Sequence, residues 1–338
     1  MKRLLIGTAA ATLLLGACAP GSNPDEPSGG GGGGGDKVTL TLNWVPYGEH
    51  APFYYGVEQG FYADEGIDLE IKPGNGSATV IKQVAQNQTT FGWADTPPLL
   101  NGIASGMPVK SVGVFLQKGP ASLEFLSEQN ISEPEDLKGK TVGGTPGDAM
   151  YATFPAWLKA NGMAESDVQV VNMDAANKIA QLAEGQVDAI MGFFHDQGPT
   201  IEARTGKKVD YLLYADSGLN MLGTGIVVND ETLSGKKDLV TRFVRATQKS
   251  WSEAIEDIPA AAKAMADLAE NEPPEDVLVK QLGLAEPLLQ LDTAGTPGVN
   301  TEEQWSGTID LMTQYAELAD AGEPSEYWDG SHAKAPGS

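Results

Sequence analysis

The chain has 338 residues, 41% of them hydrophobic. That is enough for a sizeable core and more than one average domain holds, so two lobes are expected. It carries 22 Lys and Arg against 46 Asp and Glu, a net charge of −24. Such a field repels nucleic-acid phosphates and anionic lipid, which excludes a nucleic-acid partner; the charge otherwise reads as solubility. One Cys and three His (His50, His195, His332) exclude internal disulfides and a cysteine-built zinc site, so no metal or cofactor is expected.

The chain opens "MKRLLIGTAAATLLLGACAP", a basic start, an apolar run and a small-residue cleavage site. This is the pattern of a secretory signal, and the apolar run is too short for a good membrane span. "LLLGAC" resembles the lipobox of bacterial lipoproteins, which implies cleavage before Cys18 and a lipid on its thiol. Residues 1–18 are therefore expected to be a lipoprotein signal. Residues 19–36, with the unbroken run Gly29–Gly35 among Pro, Ser and acids, are expected to be a flexible tether because they cannot bury apolar area.

From Lys37 the pattern alternates strand and helix. "VTLTLN" alternates as a strand, 49–62 reads as a helix, "IDLEI" as a strand, 76–87 as a helix and "TFGWAD" as a strand. A short helix "PPLLNGIASG" and a strand "VKSVGVFL" follow. A second set begins with the strand "KTVGG", then helix 148–161, strand "VQVVNM", helix 175–184, strand "VDAIMG" and helix 196–205. The returning strand is "GTGIVVN". Beyond Asp230 the chain reads as helical at 236–256, 258–270, 275–290 and 301–320. This alternation predicts an α/β fold with covered sheets. "KQVAQNQTTFGWAD" (82–95) is echoed by "AQLAEGQVDAIMG" (180–192), which suggests two similar lobes. Their cleft would lie at the carboxyl ends of the strands, where open α/β sheets bind ligands.

"LNWVPYGEHAPFYYGVEQGFYADEGIDLEI" (42–71) closely resembles the start of the binding proteins of ABC importers for thiamine pyrimidine precursors. The wider group includes sulfonate, nitrate and riboflavin binders. Asn43, Trp44, Pro46, His50, Gly60, Phe61, Tyr62, Glu65, Gly66, Ile67 and Asp68 fit that pattern. "AEGQVDAIMGFFHDQ" (183–197) and "YADSGLNMLGTGIVVND" (214–230) support the superfamily, and the resemblance spans roughly residues 38–320. It implies a two-lobed periplasmic-binding-protein-like fold (type II) with the ligand cleft between the lobes. The expected division is 37–116 plus 226–330 for lobe I, 117–225 for lobe II, a hinge near Lys118 and Gly223, and a tail at 331–338.

Candidate ligand residues gather near strand ends. Trp44, just before a Pro, offers a face to a flat heterocycle, and Tyr47 a second wall. Asn43 offers both donors and acceptors to a pyrimidine edge, or is a turn residue. His50 lies in the stretch that carries the family resemblance, and when neutral both donates and accepts. Tyr54 faces either cleft or core. In "FGWADTPPLL" Trp93 reads as wall or core, whereas Asp95 and Thr96 fall at the carboxyl end. Asp95 would accept from a ligand amino group or cap the next helix. In "GGTPGDAMY" (143–151) the loop with Thr145 and Gly147 presents backbone N–H groups at a helix start, suited to an anion. Asp148 there supplies negative charge itself, which favours a neutral or amine-bearing ligand. Tyr151 would reach the cleft from the first turn. Phe194, His195 and Asp196, ending a strand, would close over the ligand.

Two functions compete. The first is non-catalytic capture of a small flat, heteroaromatic molecule of the thiamine pyrimidine precursor kind by a monomer. That monomer would be lipid-anchored on the extracytoplasmic face and would deliver to a permease with its ATPase. A sulfonate, riboflavin or aromatic carboxylate is the alternative cargo. The second is the pyrimidine-synthesising activity of a eukaryotic branch of the family, to whose histidine His50 corresponds. The cysteine-rich segment of that branch falls at "SGLNMLGTG" (217–225), which contains no Cys, so an enzyme is not expected. No G-x-S-x-G elbow is present, which argues against a hydrolase. The amphipathic run 251–270 is explained by core packing.

Overall fold

The computed structural model describes residues 35–269, 272–318 and 321–334. The expected signal, Cys18 and nearly all of the tether lie outside the described residues.

Ten strands build two five-stranded sheets. They are β1 (Asp36–Thr41), β2 (Ile67–Lys72), β3 (Phe91–Asp95), β4 (Val109–Val114) and β5 (Ala121–Leu126). The others are β6 (Thr141–Gly144), β7 (Gln169–Asn172), β8 (Ala189–Phe193), β9 (Val209–Leu213) and β10 (Thr224–Asn229). The first sheet has the order β2-β1-β3-β10-β4 and the second β7-β6-β8-β5-β9. Each has three parallel strands followed by one strand antiparallel to both its neighbours. In the first sheet that strand is β10, paired Ile226 to Trp93 and Val228 to Lys110. In the second it is β5, paired Leu123 to Met191 and to Leu212. The sequence echo has a structural counterpart. Helix Ser77–Ala85 leading into β3, and helix Ala175–Ala183 leading into β8, hold equivalent places in the two sheets.

Burial explains the strand composition. β3, β10 and β8 are buried along their whole length, as strands covered on both faces must be, and read as continuous apolar runs. Edge strands β2 and β7 are mostly exposed. Helices flank both sheets. In the first lobe, helices Ala51–Glu58, Lys237–Glu256 and Ile258–Leu268 pack together. Their aromatic core has Trp93 stacked on Trp251 at 5.6 Å, Phe53 edge-on to Trp93 at 5.0 Å, and Phe91 stacked on Phe243 at 3.9 Å. The second lobe is centred on Trp157 stacked against Tyr214 at 5.1 Å.

Most expected elements are present with ends shifted by one to three residues. The expected helix 49–62 is broken in three: a 3-10 turn Gly48–His50, helix Ala51–Glu58 and a turn Phe61–Asp64. Gly60, at φ +78°, makes the second break. β5 and β9 have no counterpart in the sequence reading. β5, "ASLEFL", carries Glu124, fully buried and with neither carboxyl oxygen hydrogen-bonded. Burial drives its pKa well above the usual range.

The chain passes between the sheets twice, between β4 and β5 and between β9 and β10. Thr224 and Gly225 already pair with Asp95 and Ala94, so β10 starts two residues ahead of the expected junction at 226. Helix Glu302–Tyr315 reaches both sides. Thr308 accepts from the Leu222 backbone N–H at 3.0 Å, Gln304 donates to Gln117 at 2.6 Å, and Lys159 of helix Ala149–Ala160 donates to the Gln314 carbonyl at 3.1 Å.

Candidate functional site

The cleft forms where the carboxyl ends of β1, β3, β6 and β8 face one another. Its inner end is narrow, a cavity of about 30 Å³, and its mouth holds about 490 Å³. Trp44, Tyr47, Asp196 and Gln197 line both.

The loop after β1 is held by the loop after β2. The Gly74 N–H donates to the Trp44 carbonyl and the Gly76 N–H to the Asn43 carbonyl. A Cβ on Gly74 would lie 1.6 Å from the Leu42 carbonyl oxygen, so only glycine fits. Asn43 is fixed by His50, fully buried behind it. His50 Nδ1 accepts from the Tyr47 backbone N–H at 3.3 Å, so Nε2 carries the proton and donates to Asn43 Oδ1 at 2.8 Å. Burial lowers the His50 pKa to about 4, which keeps the ring neutral in this role. Asn43 in turn acts on Asp95, helping to hold its pKa down.

Asp95, at the end of β3, accepts from Ser77 at 2.5 Å and from Thr224 at 2.9 Å. Burial nevertheless raises it to about 6, with Glu49 adding to the shift. Asp196, after β8, is raised by burial to about 7 against the pull of His195 and Lys178. Its side chain accepts from Gln197 at 2.5 Å and its backbone carbonyl from Gln281 at 2.9 Å. Lys178 is the cation of the inner cleft. Its ammonium, 2% exposed, donates to Asp148 at 3.1 Å and to the Met191 carbonyl at 2.9 Å, and lies 5.8 Å from the Trp44 ring centre. Burial raises Asp148, and Lys178 opposes that.

Behind Tyr47 lies a second group. Glu49, with no exposed surface, accepts from Tyr47 Oη, Trp93 Nε1 and His195 Nε2, all at 2.6 Å. Burial would raise this carboxyl; the His195 hydrogen bond and charge, then His50 and Tyr47, bring it below its ordinary value. Tyr47 is pushed well up by burial and by Glu49.

Of the fourteen residues singled out in the sequence, the structure brings Asn43, Trp44, Tyr47, Asp95 and Asp196 to the inner cleft. The others stand elsewhere. His50 sits behind Asn43. Tyr54 is in the apolar core, and burial pushes its hydroxyl up to about 12. Trp93 is core, with its indole N–H spent on Glu49. Thr96 donates to the Gly223 carbonyl at 2.7 Å. Thr145 Oγ1 is buried without a partner, and Gly147 is exposed at φ +100°. Tyr151 donates to Asn172 at 2.8 Å. Phe194 is buried in the first lobe's apolar cluster, and His195 is spent on Glu49. None of these nine lines the inner cleft.

Sequence reasoning missed Ser77, Lys178, Phe193 and Gln197, which do line it. Ser77 is signalled only by its place just after the Gly74–Gly76 turn. Lys178 carries no such signal: it lies within the helix that leads into β8, a position that the strand-end rule does not cover. Among the described residues no group of three or more His, Cys, Asp or Glu is arranged to hold a metal ion. No helix among them is long and apolar enough to cross a membrane.

A model of the family described as NMT1/THI5 like matches residues 48–262. The chain belongs to that family. This NMT1/THI5-like chain is 28% identical over 257 residues to the riboflavin-binding protein RibY of Chloroflexus aurantiacus, covering 75% of this chain and 71% of that one. It is 22% identical over 255 residues to the formylaminopyrimidine-binding protein of Halalkalibacterium halodurans, covering 75% of each. It is 26% identical over 243 residues to a 4-amino-5-hydroxymethyl-2-methylpyrimidine phosphate synthase of Saccharomyces cerevisiae, covering 69% and 71%. Among solved structures, the alkanesulfonate-binding protein SsuA of Xanthomonas axonopodis bound to MOPS superposes with a TM-score of 0.65 at 14% identity, covering 86% and 98%. That likeness establishes the fold: two lobes of the periplasmic-binding-protein kind.

Proposed function

We propose that the chain is the extracytoplasmic solute-binding protein of an ABC importer, and that it captures a flat, uncharged or amine-bearing heteroaromatic molecule for delivery to a permease. One observation carries the choice of ligand class. The Trp44 face and the carboxylates Asp95 and Asp196 converge on the inner cleft, whose ammonium, Lys178, is already matched by Asp148. A flat ring stacks on the indole, and ring-borne N–H groups donate to the carboxylates. An anionic ligand would meet three carboxyl groups with one committed cation, a costly burial of unpaired charge. Proteins named as binders of riboflavin and of formylaminopyrimidine among the relatives support this reading.

The lobes of this reading are 37–116 plus 226–330 and 117–225, turning about the two crossings near Lys118 and Gly223. The protein acts as a monomer, held at the membrane by a lipid on Cys18. The reading is non-catalytic: His50, the residue that corresponds to the histidine of the synthase branch, has both ring nitrogens engaged inside the protein.

The test is mass spectrometry of ligand released from the denatured protein, with calorimetric titration of riboflavin, formylaminopyrimidine, an alkanesulfonate and benzoate. The expected result is binding of one of the two heteroaromatics and not of the anions. Tight sulfonate or benzoate binding overturns the ligand class. Conversion of formylaminopyrimidine or of a pyridoxal-type substrate by the protein with added iron overturns the non-catalytic reading.

A further inference from the structure

Three consecutive residues of the second lobe plug into the first. Phe194 is buried in the first lobe's apolar cluster. His195 Nε2 lies 2.6 Å from Glu49 Oε2. The Asp196 carbonyl accepts from Gln281 Nε2 at 2.9 Å, while Gln281 Oε1 accepts from the Gly48 backbone N–H, also at 2.9 Å. Glu49 and His195 have no exposed surface. A carboxylate so placed is tolerable only when its oxygens are saturated with donors. Two of its three donors, Tyr47 and Trp93, belong to its own lobe, and the third crosses the cleft. Oε2 is shared between the Tyr47 hydroxyl and His195, so the oxygen that meets the second lobe also fixes a wall of the ligand cleft.

We propose that Glu49 is a positioning residue that latches the lobes together through His195 without ligand and sets Tyr47 when they close. This rests on the proposed binding function for its purpose, while the latch itself is built from protein groups alone. Parting the lobes strips Glu49 of one charge-assisted hydrogen bond and withdraws Phe194 from apolar surroundings. Ligand entry and ligand escape both have to break the latch. The latch accordingly slows association as well as dissociation.

The experiment uses the mature chain, His195→Phe and His195→Gln. Phe keeps the ring that stacks on Phe193 and removes the donor; Gln places an amide N–H near the position of Nε2. Small-angle scattering without ligand reads closure. Stopped-flow quenching of riboflavin fluorescence reads association and dissociation, and thermal melts read stability. The expected result is a larger radius of gyration for ligand-free His195→Phe than for wild type, with His195→Gln restored towards wild type. Riboflavin dissociation from the Phe variant should be about ten- to a hundred-fold faster, the range for losing one hydrogen bond to a charged group, and association should be faster too because the open form is more populated. Scattering that is the same for wild type and His195→Phe overturns the latch, as does a wild type already open without ligand. A lowered melting temperature with unchanged scattering assigns His195 a purely structural role and also overturns it. If riboflavin does not bind wild type at all, the ligand is another molecule; the scattering arm still decides the latch.

Discussion

The ammonium of Lys178 faces the ring of Trp44 across the cleft at 5.8 Å, and the same ammonium is bound by Asp148 and the Met191 carbonyl. Trp44 belongs to the first lobe and the other three to the second, so the aromatic wall and its cation come together only when the lobes meet.

Trp44→Ala should weaken binding of a flat ligand by about 1–3 kcal/mol, the scale for losing an aromatic stacking partner. Trp44 is only partly buried and belongs to neither large apolar cluster. The melting temperature of the ligand-free protein should therefore stay nearly unchanged. Calorimetric titration of the relevant heteroaromatic, beside a thermal melt, checks both.

Lys178→Met should destabilise the protein by about 3–5 kcal/mol, because it leaves Asp148 buried without its partner. Lys178→Met with Asp148→Asn should recover most of that loss, since both members of the pair are then gone. Urea unfolding of wild type, single and double variants measures it. A double variant no better than the single would show that Asp148 is not the reason Lys178 is needed.

His50→Ala behaves differently from the sequence expectation of a cleft residue. It removes a fully buried ring with two internal hydrogen bonds. The loss should be about 2–4 kcal/mol of stability from the unsatisfied Asn43 and the cavity together. Affinity should fall through the loosened Asn43. A thermal melt that matches wild type would contradict the internal role.

The acid side of the pH profile holds two opposed contributions. Asp95 and Asp196, raised to about 6 and about 7 from an ordinary 3.8, keep protons in the folded chain that the unfolded chain has released. Their contribution is full below the unfolded value and is lost as pH rises through 6 and 7. His50, lowered to about 4 from 6.5, works in reverse: the unfolded chain holds the extra proton, so stability grows as pH rises through that window. Melting temperatures at about pH 4.5 and pH 7.5 separate the two. Asp196→Asn should gain on wild type as the pH rises, and His50→Gln should lose on it.

The strand–helix alternation was legible because β1 alternates apolar and polar residues, and β3, β8 and β10 are largely apolar, buried runs followed by turn or cap residues. β5 and β9 escaped for a physical reason. The buried carboxyl of Glu124 contradicts the apolar pattern by which an internal strand is known, and β9, "VDYLL", is an edge strand whose exposed positions, Asp210 and Tyr211, are adjacent and so do not alternate with buried ones. In the site, Asn43, Trp44, Tyr47, Asp95 and Asp196 were legible because strand carboxyl ends are where such clefts lie. Lys178 was not. A lysine in "AANKIAQLA" reads as a helix's solvent face, and only the docking of that helix over Asp148 buries it. His50 and His195 were visible as unusual residues, but a sequence does not say whether a polar ring meets a ligand or a neighbouring side chain.

The place of β10 has a bearing on how the chain is made. It is the fourth strand of the first sheet, wedged between β3 and β4, yet all of β5 to β9 precedes it in the chain. As the polypeptide emerges N-terminus first, β4 has no partner on either side until residues 224–229 appear, whereas all five strands of the second lobe are by then present. The inserted lobe can thus finish first and the lobe that begins the chain finishes last. Loop closure over the whole insert makes that final step slow compared with local contacts. A half-built N-terminal sheet thus stays open until most of the chain has been made.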